Sequence, residues 1–217
     1  MRQASPKKLT HGRRERWETE GILLGGGAAP GPLDLPRLFG NARPVEVEIG
    51  TGKGTLLLAR AAARPEINFL GIEYARAYCE YAADRCRRAG LTNIRMLAAD
   101  AMHVLRICLG DASLWRIHAY FPDPWPKRKH RRRRLIQPPF VCEVLRTLRP
   151  GGQLLVVTDS IDYFKQIRTV LSDVPGLARI AFPVMADARG ELVGTNFERK
   201  YIAQGRPFYA SARLRYV

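Results

Sequence analysis

The chain has 217 residues, enough for one domain with a sizeable core, and its 46% hydrophobic content excludes an intrinsically disordered chain. A net charge of +16 and a pI of about 10.4 point to a polyanionic partner, nucleic acid ahead of an anionic membrane surface. The longest apolar stretches fall far short of the roughly 20 residues of a membrane span, and residues 1–17 lack the apolar core of a signal peptide. The expected compartment is therefore the cytoplasm, with no membrane association.

Residues 1–20 carry Arg2, Lys7, Lys8, Arg13, Arg14 and Arg16 against few acids. They read either as a disordered tail or as an arm that orders on a nucleic acid. Residues 21–44 are rich in Gly, Pro and Leu, including Gly25-Gly26-Gly27, and read as a linker or lid with a short helix near Leu35–Phe39. Residues 1–44 thus form a basic arm and linker, and 45–217 the main domain.

From Val45 the pattern becomes regular. Strand Val45–Ile49 runs into the turn Gly50-Thr-Gly-Lys-Gly54 and a helix over Thr55–Ala63, ended before Pro65. Strand Ile67–Ile72 closes on Glu73, and a helix Ala75–Ala89 stops at Gly90. Strand Ile94–Ala99 closes on Asp100, and a helix Ala101–Leu109 stops at Gly110. Leu114–Phe121 is a fourth strand. A helix follows from Arg134 or Pro138 to Leu148. Pro150-Gly-Gly152 turns the chain into a fifth strand, Gln153–Thr158, closing on Asp159. Asp162–Leu171 is a helix, and Ala178–Phe182 and Phe208–Arg215 are late strands. Strands alternating with helices predict an α/β fold, a central mostly parallel sheet with helices on both faces. The cysteines at 79, 86, 108 and 142 show no CxxC spacing and read as reduced thiols with no metal site.

The stretch His118–Arg134 stands out. Prolines at 122, 124 and 126 frame Asp123 and Trp125, and Lys127, Arg128, Lys129 and Arg131–Arg134 follow. Each proline fixes its own φ and biases the preceding residue toward extended backbone. This sets Asp123 and Trp125 in extended backbone at the end of a strand, where open α/β sheets bind ligands. An acid and an indole beside seven cations suggest a nucleobase pocket with a phosphate clamp, although a basic run alone is usually a solvated face. Trp125 reads either as a stacking platform or as a ring bracing the loop.

The glycine turn lets a ligand approach the backbone. It fits neither phosphate motif: the dinucleotide fingerprint needs a glycine where Thr55 stands, and the P-loop fails at Val47 and Gly54. Glu48, two residues before Gly50, would repel a pyrophosphate and attract an ammonium. S-adenosylmethionine carries an α-ammonium, a sulfonium and no phosphate. Glu73 stands where a carboxylate accepts both ribose hydroxyls, and Asp100 where an acid receives the adenine amino group. Each acid alone would also serve as a helix N-cap.

Five blocks, Glu48-Ile-Gly-Thr-Gly-Lys-Gly54, Gly71-Ile-Glu73, Ala99-Asp100, Phe121-Pro-Asp-Pro-Trp-Pro-Lys127 with its basic tail, and Thr195-Asn-Phe-Glu198, occur in one order over roughly residues 45–200. In them the chain resembles the bacterial tRNA (guanine-N7)-methyltransferases, of the class I Rossmann-like fold. The resemblance implies S-adenosylmethionine as methyl donor, contacted by Glu48, Gly50, Gly52, Glu73 and Asp100. It implies a guanosine of the tRNA variable loop as the target, Asp123 as the catalytic acid, and Lys127, Asp159, Thr195, Asn196, Phe197 and Glu198 as substrate contacts. It also implies no metal. Trp125-Pro126 marks the bacterial type, so no obligatory protein subunit is expected. Two rivals stay open: a methyltransferase acting on an exocyclic amine, and a non-catalytic RNA-binding protein on the same fold.

Overall fold

The computed structural model describes residues 17–25, 31–172, 174–184 and 191–217. The basic residues from Arg2 to Arg16, and Gly26 and Gly27 of the glycine run, lie outside the described residues.

Among the described residues eight strands form one sheet: β1 Leu23–Leu24, β2 Val45–Ile49, β3 Asn68–Glu73, β4 Ile94–Ala98, β5 Leu114–Tyr120, β6 Leu148–Thr158, β7 Leu177–Ile180 and β8 Tyr209–Arg215. Their spatial order is β1-β4-β3-β2-β5-β6-β8-β7, parallel from β1 to β6, with β8 antiparallel to both its neighbours. The helices are α1 Leu35–Phe39, α2 Thr55–Ala63, α3 Arg76–Arg88, α4 Ala101–His103, α5 Pro138–Thr147, α6 Ile161–Val170 and α7 Asn196–Ala203. All five positions of β2 are buried, as a central parallel strand covered on both faces requires. One core joins α1, α4, α5 and α6 to the sheet, through residues such as Val104, Phe140, Val144, Tyr163 and Ile167. A second joins α2 and α3 through Leu57, Ala61, Cys79, Ala82 and Cys86. The expected α/β sheet with helices on both faces is what the chain forms.

Several elements differ from the pattern reading. Residues 22–24 are no simple linker: Ile22 is buried and β1 adds a strand to β4, with Trp17 edge-on to Tyr81 at 5.2 Å. The helix expected over Ala101–Leu109 is α-helical only to His103. Residues Val104–Cys108 widen into a π turn, with Leu109 N–H on the Val104 carbonyl at 3.1 Å. The strand expected from Gln153, β6, begins at Leu148, because Pro150-Gly-Gly152 bends within it rather than before it. Gly152 has no room for a side chain, since a Cβ would lie 2.8 Å from the Arg149 carbonyl oxygen. Among the described residues no helix is long and apolar enough to cross a membrane.

Candidate active site

The carboxyl-terminal edge of the parallel strands gathers the chemistry. After β2, Gly50 and Gly52 take φ of +78° and +52° with open space where a Cβ would stand. The turn therefore shows bare backbone to the edge. Gly54 serves packing instead: a Cβ there would sit 2.9 Å from Ala82 Cβ, so α2 closes directly on α3. At the end of β3, Glu73 accepts from Gly52 N–H through one oxygen and from Ala75 N–H through the other, both at 2.8 Å. Its carboxylate is fixed, and each oxygen keeps a further lone pair. Asp100, at the end of β4, caps α4 by accepting from His103 N–H at 3.0 Å, yet stays exposed. The cap therefore leaves Asp100 at the exposed edge.

Glu48 is different. It is buried, and its Oε2 has no partner, like the buried Oγ1 of Thr51 in the adjoining turn. Burial, then the neighbouring Glu73 charge, push its pKa well above the ordinary 4.5. A buried acid beside a second acid, with an orphaned oxygen, suits a cationic ligand group. The set of acceptors fits S-adenosylmethionine: one acid for the cationic amino-acid end, a fixed carboxylate for hydroxyls, and an exposed acid for an amino group.

A pH signature follows from Glu48. A group whose folded pKa is raised contributes stability below its unfolded value, and that contribution is lost as pH rises through the folded value. The donor-free protein should therefore lose stability above the acid range. Glu48→Gln, which carries no charge, should melt higher than wild type at neutral and alkaline pH and show a flatter profile. Its donor affinity should fall and lose its rise with pH. Thermal melts and calorimetry over a pH series check both, and a variant that melts lower at neutral pH would refute the assignment.

Two residues before Glu48 on the same strand, Glu46 is fully buried and fully paired. It meets Arg60 at 2.7 Å, Arg116 at 2.9 Å and His118 at 3.0 Å, and His118 Nδ1 lies 2.8 Å from the Tyr120 hydroxyl. Burial raises the Glu46 pKa, but His118, Arg60 and Arg116 together outweigh it and hold the group at about 2. Burial keeps His118 below its usual value although Glu46 draws it up. This network anchors β2 to β5 under the site.

The proline-framed loop leaves β5 in a strained path. Phe121 and Trp125 take φ of +51° and +40°, each costing roughly 1–2 kcal/mol for an L-residue. The extended backbone expected at Trp125 is therefore corrected to a left-handed one. Packing on both sides imposes it. Phe121 lies 5.4 Å from the Tyr201 ring and 6.1 Å from Phe197. Trp125 is half-buried, edge-on to His130 at 5.9 Å, with the Arg133 guanidinium 5.0 Å above its ring. The indole braces the loop. Between the two strained residues, Asp123 stands exposed, and its carboxylate takes no hydrogen bond from the described residues.

The basic run is not uniform. Arg128–Arg133 form a 3₁₀ turn, with Lys127 exposed just before it. Arg134, expected in the phosphate clamp, is buried: Nε donates to the Pro124 carbonyl at 2.7 Å, Nη1 to Gln166 at 2.7 Å, and Nη2 to Asp162. Its guanidinium lies 4.8 Å over the Tyr163 ring. It holds the loop to α6 and cannot also meet a phosphate. Nothing local in a run of like charges marks which member is buried.

The remaining candidates lie on β6 and α7. Asp159, after β6, accepts from Arg206 at 2.7 Å, and the Arg206 guanidinium covers the Tyr201 ring at 4.4 Å. Burial, then Asp159, push the Tyr201 phenol up to about 12. Thr195 caps α7 by accepting from Glu198 N–H at 3.1 Å. Glu198 is fully buried, and its carboxylate accepts from Leu192, from Val193 at 2.9 Å and from Gly194 at 2.7 Å. These two shape the loop from inside. Asn196 donates to Thr55 Oγ1 at 2.9 Å, tying α7 to the start of α2, and Phe197 is 52% exposed at the same edge. Among the described residues, no group of three or more His, Cys, Asp or Glu is placed to hold a metal ion.

The family model described as "Putative methyltransferase" matches residues 42–211. The chain is 40% identical to the tRNA (guanine-N(7)-)-methyltransferase of Nitrosococcus oceani over 94% of its length and 82% of that protein's. It is 40% identical to the enzyme of that name from Alkalilimnicola ehrlichii, over 82% and 75%. The crystal structure of the 16S rRNA methyltransferase KamB superposes with a TM-score of 0.60 at 16% identity, over 89% of this chain and 97% of that one, which speaks for the fold alone. With that identity over most of both chains, the chain belongs to the tRNA (guanine-N7)-methyltransferase family.

Proposed function

We propose that this protein transfers the methyl group of S-adenosylmethionine to N7 of a guanosine in the tRNA variable loop. The observation that carries the reading is the exposed, unbonded Asp123 carboxylate on a strained loop, flanked by exposed cations at the sheet edge that holds Glu48, Glu73 and Asp100. The donor supplies an electrophilic methyl on a sulfonium. Glu48 would take its ammonium, Glu73 its ribose hydroxyls, Asp100 its adenine amino group, with Gly50 and Gly52 keeping the backbone clear. Neutral guanine N7 has a lone pair and no proton. The N–C bond forms as the S–C bond breaks, the electron pair stays on sulfur, and no general base is needed. The chain must instead align N7 with the methyl and tolerate the positive charge that develops on the ring. Asp123 does the second by accepting from guanine N1–H and the 2-amino group. Lys127 and the exposed cations of the 3₁₀ turn face the RNA backbone. Asp159, Asn196 and Phe197 border the base, and Thr195 and Glu198 act through the loop they shape.

The test uses tRNA carrying 7-deazaguanosine at the target position. It should bind with ordinary affinity and accept no methyl, whereas normal tRNA yields 7-methylguanosine on digestion. Methylation of the deaza substrate at the normal rate, or a labelled exocyclic amine in the digest, overturns the N7 reading.

A further inference from the structure

A groove of about 1000 Å³ between α6, β7 and β8 takes no part in the site above. Lys165 and Arg168 line it from α6, Arg179 from β7, Ser211 and Arg213 from β8, and Tyr216 closes one end. No acid lines it among the described residues, and none of its four cations pairs with a described carboxylate. Elsewhere Arg60, Arg116, Arg134, Arg146 and Arg206 all do. Arg213 is 6% exposed and fixed, donating to the Leu171 carbonyl at 3.2 Å and to Ser211 Oγ at 3.1 Å. Burial, then the charges of Arg179 and Arg168, lower its pKa. Like charges held together against a low-dielectric wall repel one another and concentrate a positive potential. A polyanion relieves that repulsion.

The groove is also placed for RNA. α6 starts beside Asp159, and its Asp162 is held by Arg131 and Arg134 of the basic turn. The exposed Ile161, Lys165 and Arg168 recur at helical spacing along its outer face. Ten helical residues cover roughly 15 Å, so a backbone leaving the methylation site reaches the groove within a short step.

We propose that this groove is a second tRNA subsite, gripping backbone phosphates away from the methylated nucleotide. The proposal rests on the tRNA reading above. Its test is the triple variant Lys165→Gln, Arg168→Gln, Arg179→Gln, with tRNA affinity measured between about 50 and 200 mM salt. Affinity should fall about 10-fold at the low end, and the slope of log K against log salt should drop by roughly 2–3. Donor affinity, melting temperature and turnover on a short hairpin carrying only the target loop should match wild type. The charge-conserving pair Arg168→Lys, Arg179→Lys should retain the wild-type salt slope, which separates lost charge from lost packing. An unchanged slope in the triple variant overturns the subsite. So does an equal loss on hairpin and whole tRNA, or loss of binding to anionic vesicles with tRNA binding intact. Failure of the tRNA reading itself would show in wild type, as tRNA binding without salt dependence or digests without 7-methylguanosine.

Discussion

Asp123→Asn and Asp123→Ala lower turnover on the order of 10²-fold or more, as expected for loss of a preorganised charge contact, while donor affinity and melting temperature stay near wild type. Asn keeps the shape and one acceptor oxygen but turns an NH2 toward guanine donors, and Ala removes the acceptor altogether. Neither touches the fold, because Asp123 is exposed and bonds no described neighbour. A carboxylate acting as a base would also have to be ionised, so a pH–rate profile separates the two roles poorly. Product analysis separates them well. Residual methylation by either variant should remain entirely at N7, and a variant that keeps wild-type turnover would remove Asp123 from the chemistry.

Arg134→Ala has the second-largest effect, and of another kind. It deletes a buried guanidinium that bonds the Pro124 carbonyl, Gln166 and Asp162 at once. Asp162 is half-exposed and recovers water when its partner goes, so the expected loss is about 2–3 kcal/mol rather than the upper range for buried pairs. Turnover should fall with it, since the strained turn at Trp125 loses its tether on the Asp123 side. The salt dependence of tRNA binding should not move. By contrast Arg128→Gln or Arg132→Gln, at exposed positions of the same run, should flatten that dependence and leave the melting temperature alone. Denaturant titration and salt-dependent binding on the same variants decide the matter. A flattened slope in Arg134→Ala would return that residue to the phosphate clamp.

This contrast shows what local sequence can and cannot specify. Glu73 and Asp100 were legible because each stands where a mostly apolar run stops, and Glu48 because it lies one residue before β2 gives way to the glycine turn. The proline-framed Asp123 was legible for a similar local reason. The burial of Arg134 is decided by Asp162 and Gln166, about thirty positions away in the chain. The inward carboxylate of Glu198 depends on three backbone amides that only the folded loop points at it. Glu46 carried a hint: an acid in the middle of a fully buried strand demands partners. The sequence could not say that they would be Arg60, Arg116 and His118. The left-handed turn at Trp125 ran against the preference of a residue before proline, because packing on His130 and Arg133 outweighs it.

The position of β8 has a bearing on how the protein is made. In space it lies between β6 and β7, yet it is translated after both. Until residue 215 has left the ribosome, β6 has an open edge and β7 has no strand to pair with. The half that holds Glu48, Glu73 and Asp100 can assemble earlier from contiguous chain. That half can therefore pack on the nascent polypeptide before β6, β7 and β8 close on one another. A chain truncated after Arg206 would display the apolar row Leu155 and Val157 on a bare strand edge, the kind of edge that recruits a second copy and aggregates.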